Sequence, residues 1–135
     1  MSDFALDPRI AADTLHLAEL KLCAVRLKLD ANFTWLLVIP RIAYTTEIVD
    51  LTPEHRHLLM EDVVRASGAL RETVGCDKLN IASFGNAVSQ IHVHVIARLL
   101  SDVAWPKPVW GVAPAKEYAK GAAEALAAKL SARLK

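Results

Sequence analysis

Apolar and polar positions alternate most regularly over residues 89–98, Ser-Gln-Ile-His-Val-His-Val-Ile-Ala-Arg. A strand points successive side chains to opposite faces, so this spacing predicts one. Gln90, His92, His94 and Ile96 share one face, and Ile91, Val93, Val95 and Ala97 the other. The β-branched residues suit a pleated surface.

The rest of the pattern predicts helices and strands around it. Asp7-Pro8 reads as a helix start, followed by Ile10, Ala11, Leu15, Ala18 and Leu22 at roughly helical spacing; Asp13-Thr14 could equally be the cap. From Cys23 to Leu29 the period drops to two, with Cys23, Val25, Leu27 and Leu29 on one face. Asp30-Ala31-Asn32 is a turn, and the apolar run Trp35 to Ile39 reads as a central strand closing a hairpin. Thr52 and Pro53 open a helix whose stripe is Leu59, Val63, Ala66, Leu70 and Val74, with Gly75 as its C-terminal cap. Lys78 to Phe84 is a further strand, and Gly85-Asn86 a hairpin turn into the histidine strand. Residues 98–111 are irregular, and an Ala-rich helix weakened by Gly121 runs from Pro114 to the end. This order predicts an α+β fold with helices on an antiparallel sheet.

With 135 residues and 53% hydrophobic content, the chain is expected to form a single domain over residues 1–135. The apolar runs are too short for a bilayer span, and Met1-Ser2-Asp3 opens without a signal pattern, so a cytoplasmic protein with no membrane partner is expected. A net charge of +1 argues against nucleic acid as a partner. Cys23 and Cys76 match no metal spacing and read as free thiols.

The chemistry concentrates on His92 and His94. Two residues of strand rise put them roughly 6.6–6.8 Å apart, near enough to touch one phosphate. A neutral imidazole is a good nucleophile near pH 7, and a second can stabilise phosphate oxygens or help a leaving group. Gln90 adds a hydrogen-bonding group that does not titrate. Zinc ligation needs a third ligand, for which Asp102 and the remote histidines are the only candidates. Structural histidines are the third reading, and the pattern alone leaves all three open. His16 reads as a helical histidine, and His55 and His57 as surface residues of one helix. Trp105 and Trp110, in a proline-stiffened segment, read either as core plugs or as stacking surfaces for a planar ligand.

Beyond the bare pattern, Gln90 to Arg98 resembles the histidine triad (HIT) motif, His-φ-His-φ-His-φ-φ with φ apolar. Leu36-Leu37-Val38-Ile39-Pro40-Arg41 is similar to the family's hLVIPK strand, and Asp50-Leu51-Thr52-Pro53 to the start of its main helix. Gly85 to Ser89 resembles the segment just before the triad, and Trp105 to Gly111 the tail of a bacterial subgroup with Gln-x-His-x-His. The likeness covers about residues 20–98, with 99–135 as tail and helix. It implies a HIT-like α+β fold: about five antiparallel strands, a long helix on the sheet, and terminal helices. It also implies a homodimer, a purine nucleotide or related small molecule as ligand, and hydrolysis or transfer at the α-phosphate of a nucleotide or dinucleoside polyphosphate.

By that resemblance His92 is the nucleophile and His94 contacts the phosphates and leaving group. Gln90 stands at the first triad position, where it can hydrogen-bond but cannot become cationic. Asn86 matches a phosphate-side polar residue, and Ala87 stands where a hydroxyl is usual. Ser83 is a candidate for a further polar contact and Asp30 for ribose. Trp105 and Trp110 are candidate nucleotide-binding residues, and Leu27, Trp35 and Ile39 candidates for the base pocket. No metal or cofactor is implied. A nucleotide-binding protein with little catalysis is the alternative, motivated by Gln90 and Ala87.

Overall fold

Five antiparallel strands form one open sheet in the order β1-β2-β3-β5-β4: β1 (Thr14–Glu19), β2 (Cys23–Lys28), β3 (Thr34–Pro40), β4 (Lys78–Ala82) and β5 (Val93–Arg98). The computed structural model describes residues 3–135; Met1 and Ser2, part of the opening read above for a signal pattern, lie outside them. Among the described residues three α-helices complete the fold: α1 (Pro8–Ala12), α2 (Pro53–Val74) and α3 (Ala122–Arg133). The architecture is α+β, as the pattern predicts. Among the described residues no helix is long and apolar enough to cross a membrane.

The sheet has two unlike faces. Cys23, Val25, Leu27, Leu36, Val38, Val93, Val95 and Ala97 pack against Leu59, Val63, Ala66 and Leu70 of α2 and Leu130 of α3. Removing this apolar surface from water is the main stabilising term. The opposite face carries Trp35, Leu37, Ile39 and Ile96, covered by Ile10, Ala104 and Val109 and flanked by Phe4, Leu6 and Val88. Among the described residues, irregular chain and the short α1 cover this second face, which leaves room for clefts there.

Helix α2 begins and ends as its residues dictate. The Thr52 hydroxyl accepts from His55 N, Pro53 occupies the first turn, and Gly75 ends the helix at φ +68°, a conformation glycine adopts without strain. Asp62 fastens α2 to the sheet: its buried Oδ2 accepts from Leu22 N and Cys23 N, both at 2.9 Å.

Three expectations are corrected. The helix expected through Leu22 stops at Ala12, and Thr14–Glu19 is strand β1. A bulge between His16 and Ala18 breaks the alternation, so Thr14, Leu17 and Leu20 are buried at intervals of three. That spacing imitates a helix. The expected tight turn at Gly85-Asn86 is instead a long connection, residues 83–92, and the strand begins at Val93 rather than Ser89. The backbone groups there are used elsewhere: Ile91 N donates to Thr45 O, and the His92 carbonyl accepts from Ser83 Oγ. The last helix begins at Ala122, not Pro114. Residues 114–116 are tied to the β2–β3 turn by Asn32 Nδ2 to Pro114 O and Ala31 N to Lys116 O, and Gly121 turns the chain at φ +78°.

Candidate functional site

Strand β5 places His94 on the thinly covered face, opposite Leu37 in the register with β3. His92 lies just before the strand, and its ring centroid is 4.9 Å from that of His94. The alternation therefore keeps its effect past the end of the strand, because Ile91 and Val93 both enter the helix-side core. Both imidazoles are buried apart from a small exposed area.

Hydrogen bonds assign the proton on each ring. His92 Nδ1 lies 2.6 Å from the Gln90 carbonyl oxygen. A carbonyl only accepts, so Nδ1 carries the hydrogen and Nε2 keeps its lone pair. His94 Nδ1 lies 2.9 Å from Trp35 Nε1, an indole nitrogen that only donates. The His94 hydrogen is therefore on Nε2. Burial, then the neighbouring His92 and then Lys28 push the His94 pKa down to about 3. At neutral pH His94 is an uncharged donor.

Two clefts flank the imidazoles. The larger, about 360 Å³, is lined by Phe84, Asn86, Ala87, Val88 and Trp110 beside the two histidines. The smaller, about 160 Å³, adds Arg9, Ile10, Asp13, Lys28, Trp35 and Leu37. Trp110 belongs to both, with its ring 5.0 Å from His94, 5.4 Å from Trp35 and 4.5 Å from Phe84. The larger cleft is apolar and aromatic, while cationic groups rim the smaller one.

The other sequence-predicted residues fall in different places. Asn86 lines the larger cleft. Ser83 stands behind it, donating to the His92 carbonyl at 2.9 Å. Gln90 is turned away from the imidazoles: its amide bonds Ala5 O and Asp7 N, and it lines a separate cavity with Tyr44 and Thr45. Asp30 sits in the β2–β3 turn, where Oδ1 accepts from Asn32 N and Lys116 N. Trp105 lies against the guanidinium of Arg98, with Arg98 Cζ 5.5 Å from its ring centroid. Leu27 faces the helix-side core and not a cleft, because it has the parity of Val25. Trp35 and Ile39 do share the histidine face, and Trp35 also reaches the cleft.

Among the described residues no three His, Cys, Asp or Glu side chains converge. Asp102, the nearest sequence candidate for a third ligand, is held by Arg98 at 2.8 and 3.0 Å. Cys23 and Cys76 are both free thiols.

Sequence reasoning assigns no site role to Arg9, Asp13, Lys28 or Phe84. Asp13 reads as a possible helix cap, Arg9 and Lys28 belong to no motif, and the fold brings the three to one cleft. The donor role of Trp35 was equally hidden, since a tryptophan in an apolar run reads as core.

Comparisons with known proteins agree with this fold. The HIT domain family matches residues 10–99. A histidine triad protein from Bradyrhizobium japonicum is 40% identical, with a TM-score of 0.94 and 98% of each chain covered. One from Sinorhizobium meliloti is 36% identical, with a TM-score of 0.94 and 99% of each chain covered. One from Marinobacter aquaeolei is 39% identical, with a TM-score of 0.92, covering 97% of this chain and 96% of its own. Among curated proteins none matches. Two imidazoles on one sheet face, in a fold shared almost end to end with these proteins, place the chain in the histidine triad family.

Proposed function

We propose that the protein cleaves or transfers at the α-phosphate of a nucleotide or dinucleoside polyphosphate, through a covalent adduct on His92. The observation that carries this reading is the hydrogen bond from His92 Nδ1 to the Gln90 carbonyl, which leaves Nε2 as a free lone pair beside both clefts. Nε2 attacks phosphorus, a P–N bond forms, and the bond to the leaving group breaks with its electron pair. His94, held as the Nε2–H tautomer, donates to a phosphate oxygen or to the leaving atom without adding charge. Water then attacks the same phosphorus and gives up a proton to solvent, while the P–N bond breaks and its electron pair returns to Nε2, which restores the enzyme. An acceptor other than water makes the reaction a transfer.

Nucleophile and donor both come from the chain itself, so this reading calls for no cofactor. We take the substrate to be a purine nucleotide or related small molecule, and the assembly to be the homodimer usual in the family. The test is a rapid-mixing assay with a diadenosine polyphosphate. A burst of nucleotidyl-enzyme is expected in the native protein and none in His92→Ala. Unchanged turnover in that variant would sink the mechanism.

One observation favours a second reading, a nucleotide-binding protein with little turnover. The Gln90 amide is committed to Ala5 and Asp7, and Ala87 offers no hydroxyl. The groups that could assist a leaving group are thereby reduced. Calorimetric titration with AMP beside a hydrolysis assay separates the two: binding without turnover selects the second.

A further inference from the structure

The side chain at the first triad position works on a different part of the molecule from the other two. Gln90 Nε2 donates to Ala5 O at 2.9 Å, and Gln90 Oε1 accepts from Asp7 N at 2.9 Å. Both halves of the amide are thus used on main-chain groups of one N-terminal segment. A side-chain amide carries a donor and an acceptor on one carbon. It can therefore pair with a carbonyl and an N–H two residues apart, as a neighbouring strand would.

That segment, residues 4–9, is a strap across the histidine face. Phe4 and Leu6 pack on the cluster around Trp35 and Ile96. Asp7 caps α1, and Arg9 Nη1 donates to the Ala87 carbonyl at 3.0 Å. The strap delivers Arg9, and Ile10 directly after it, to the smaller cleft, which Lys28, Leu37 and both imidazoles also line. Helix α1 has five residues, too few to hold a position by its own hydrogen bonds. Its placement depends on tertiary contacts: the burial of Ile10, the Arg9 bond to Ala87 and the fastening of the strap that leads into it.

We propose that Gln90 is a positioning residue for substrate binding: its amide fastens the strap, and the strap holds Arg9 and Ile10 as one wall of the cleft that takes the nucleotide. This rests on the nucleotide reading above. Gln90 then governs affinity, while the chemical step stays with His92 and His94. The Gln90 main-chain carbonyl continues to orient His92 whatever the side chain.

The test compares the full-length protein with Gln90→Ala and Gln90→Glu. Glutamate keeps an acceptor for Asp7 N but sets an oxygen against Ala5 O. Losing both bonds in Gln90→Ala should raise KM for a diadenosine polyphosphate, and Kd for AMP, about tenfold, with kcat held within about twofold. Gln90→Glu should fall between. Hydrogen exchange at the Asp7 amide should quicken in step. A drop in kcat at unchanged KM overturns the assignment, because Gln90 would then act on the chemistry. An unchanged AMP constant in Gln90→Ala, with native protein binding AMP, also overturns it and leaves the nucleotide reading intact. Native protein that neither binds AMP nor turns over the substrate overturns both. Native protein that binds without turnover lets the AMP constants decide alone.

Discussion

Trp35 Nε1 donates to His94 Nδ1 at 2.9 Å, and the two rings meet edge-on with centroids 5.6 Å apart. The indole thereby selects one tautomer of a buried imidazole and keeps it neutral, since a proton on Nδ1 would face another N–H. Lys28 Nζ, 5.2 Å from the Trp35 ring centroid, adds to the bias against a charged His94.

Trp35→Phe keeps an aromatic ring and deletes the donor. The buried His94 Nδ1 loses its partner, at a cost of about 1–3 kcal/mol. If His94 assists the reaction as its Nε2–H form, kcat/KM should fall roughly 10–100-fold on that scale. Steady-state kinetics measures the loss, and nitrogen NMR of His94 reads the tautomer. An unchanged tautomer in Trp35→Phe would remove the indole from this role.

The same imidazole should make stability depend on pH. His94 has an ordinary value of 6.5 and about 3 in the folded chain, where burial disfavours the cation. Below pH 6.5 the unfolded state binds the proton and the folded state does not. The His94 contribution to stability is therefore intact above about pH 6.5 and is lost as pH falls toward about 3. Within that window the slope from this one group is about 1.4 kcal/mol per pH unit. Urea denaturation at pH 7 and pH 5 measures it, and His94→Asn should flatten the difference. A variant as acid-sensitive as the native chain would show that other groups set the slope.

Arg98 and Asp102 form a buried pair that mounts the tail on the end of β5. Asn80 Oδ1 accepts from the same guanidinium, and Asp102 also accepts from Leu99 N, Ala104 N and Trp105 N. The Arg98 guanidinium holds the Asp102 carboxyl down to about 2. Asp102→Ala would leave a buried cation with Asn80 as its remaining side-chain hydrogen-bond acceptor, and should cost about 3–5 kcal/mol of unfolding free energy. Chemical denaturation tests this; a loss below about 1 kcal/mol, the scale of exposed pairs, would contradict it.

Asp62 should matter for stability alone. Its removal in Asp62→Ala leaves the Leu22 and Cys23 amides without their acceptor, at about 1–3 kcal/mol each. The bond lies on the helix side of the sheet, away from the clefts, so AMP affinity of the folded protein should stay within about twofold. Calorimetric titration of the variant at a temperature where it is folded checks this. A tenfold weaker constant would mean that the helix and the clefts are coupled.

Much of this was legible in the chain, for physical reasons that can be named. The period-two pattern placed His92 and His94 together, because apolar Ile91, Val93 and Val95 must all enter the core. Helix α2 was legible at both ends, since Thr52, Pro53 and Gly75 act locally. Strand β1 was not, because one bulge changes a strand period into an apparent helical one. The start of α3 was missed because high alanine propensity extends across Gly121, while the bonds to Asn32 and Ala31 are long-range. Strand alternation predicts Gln90 on the face of His92 and His94. Its partners Ala5 and Asp7 lie 85 and 83 positions away, and no periodicity encodes such a pairing.

The chain has three tryptophans, and two of them, Trp35 and Trp110, touch the ring of His94. Trp105 lies apart, over a buried guanidinium. The protein therefore carries a built-in optical probe at the imidazole pair. Anything entering either cleft must displace solvent from Trp110 or alter the surroundings of Trp35. Intrinsic emission can follow ligand arrival in unlabelled protein, with Trp105 as a near-constant background.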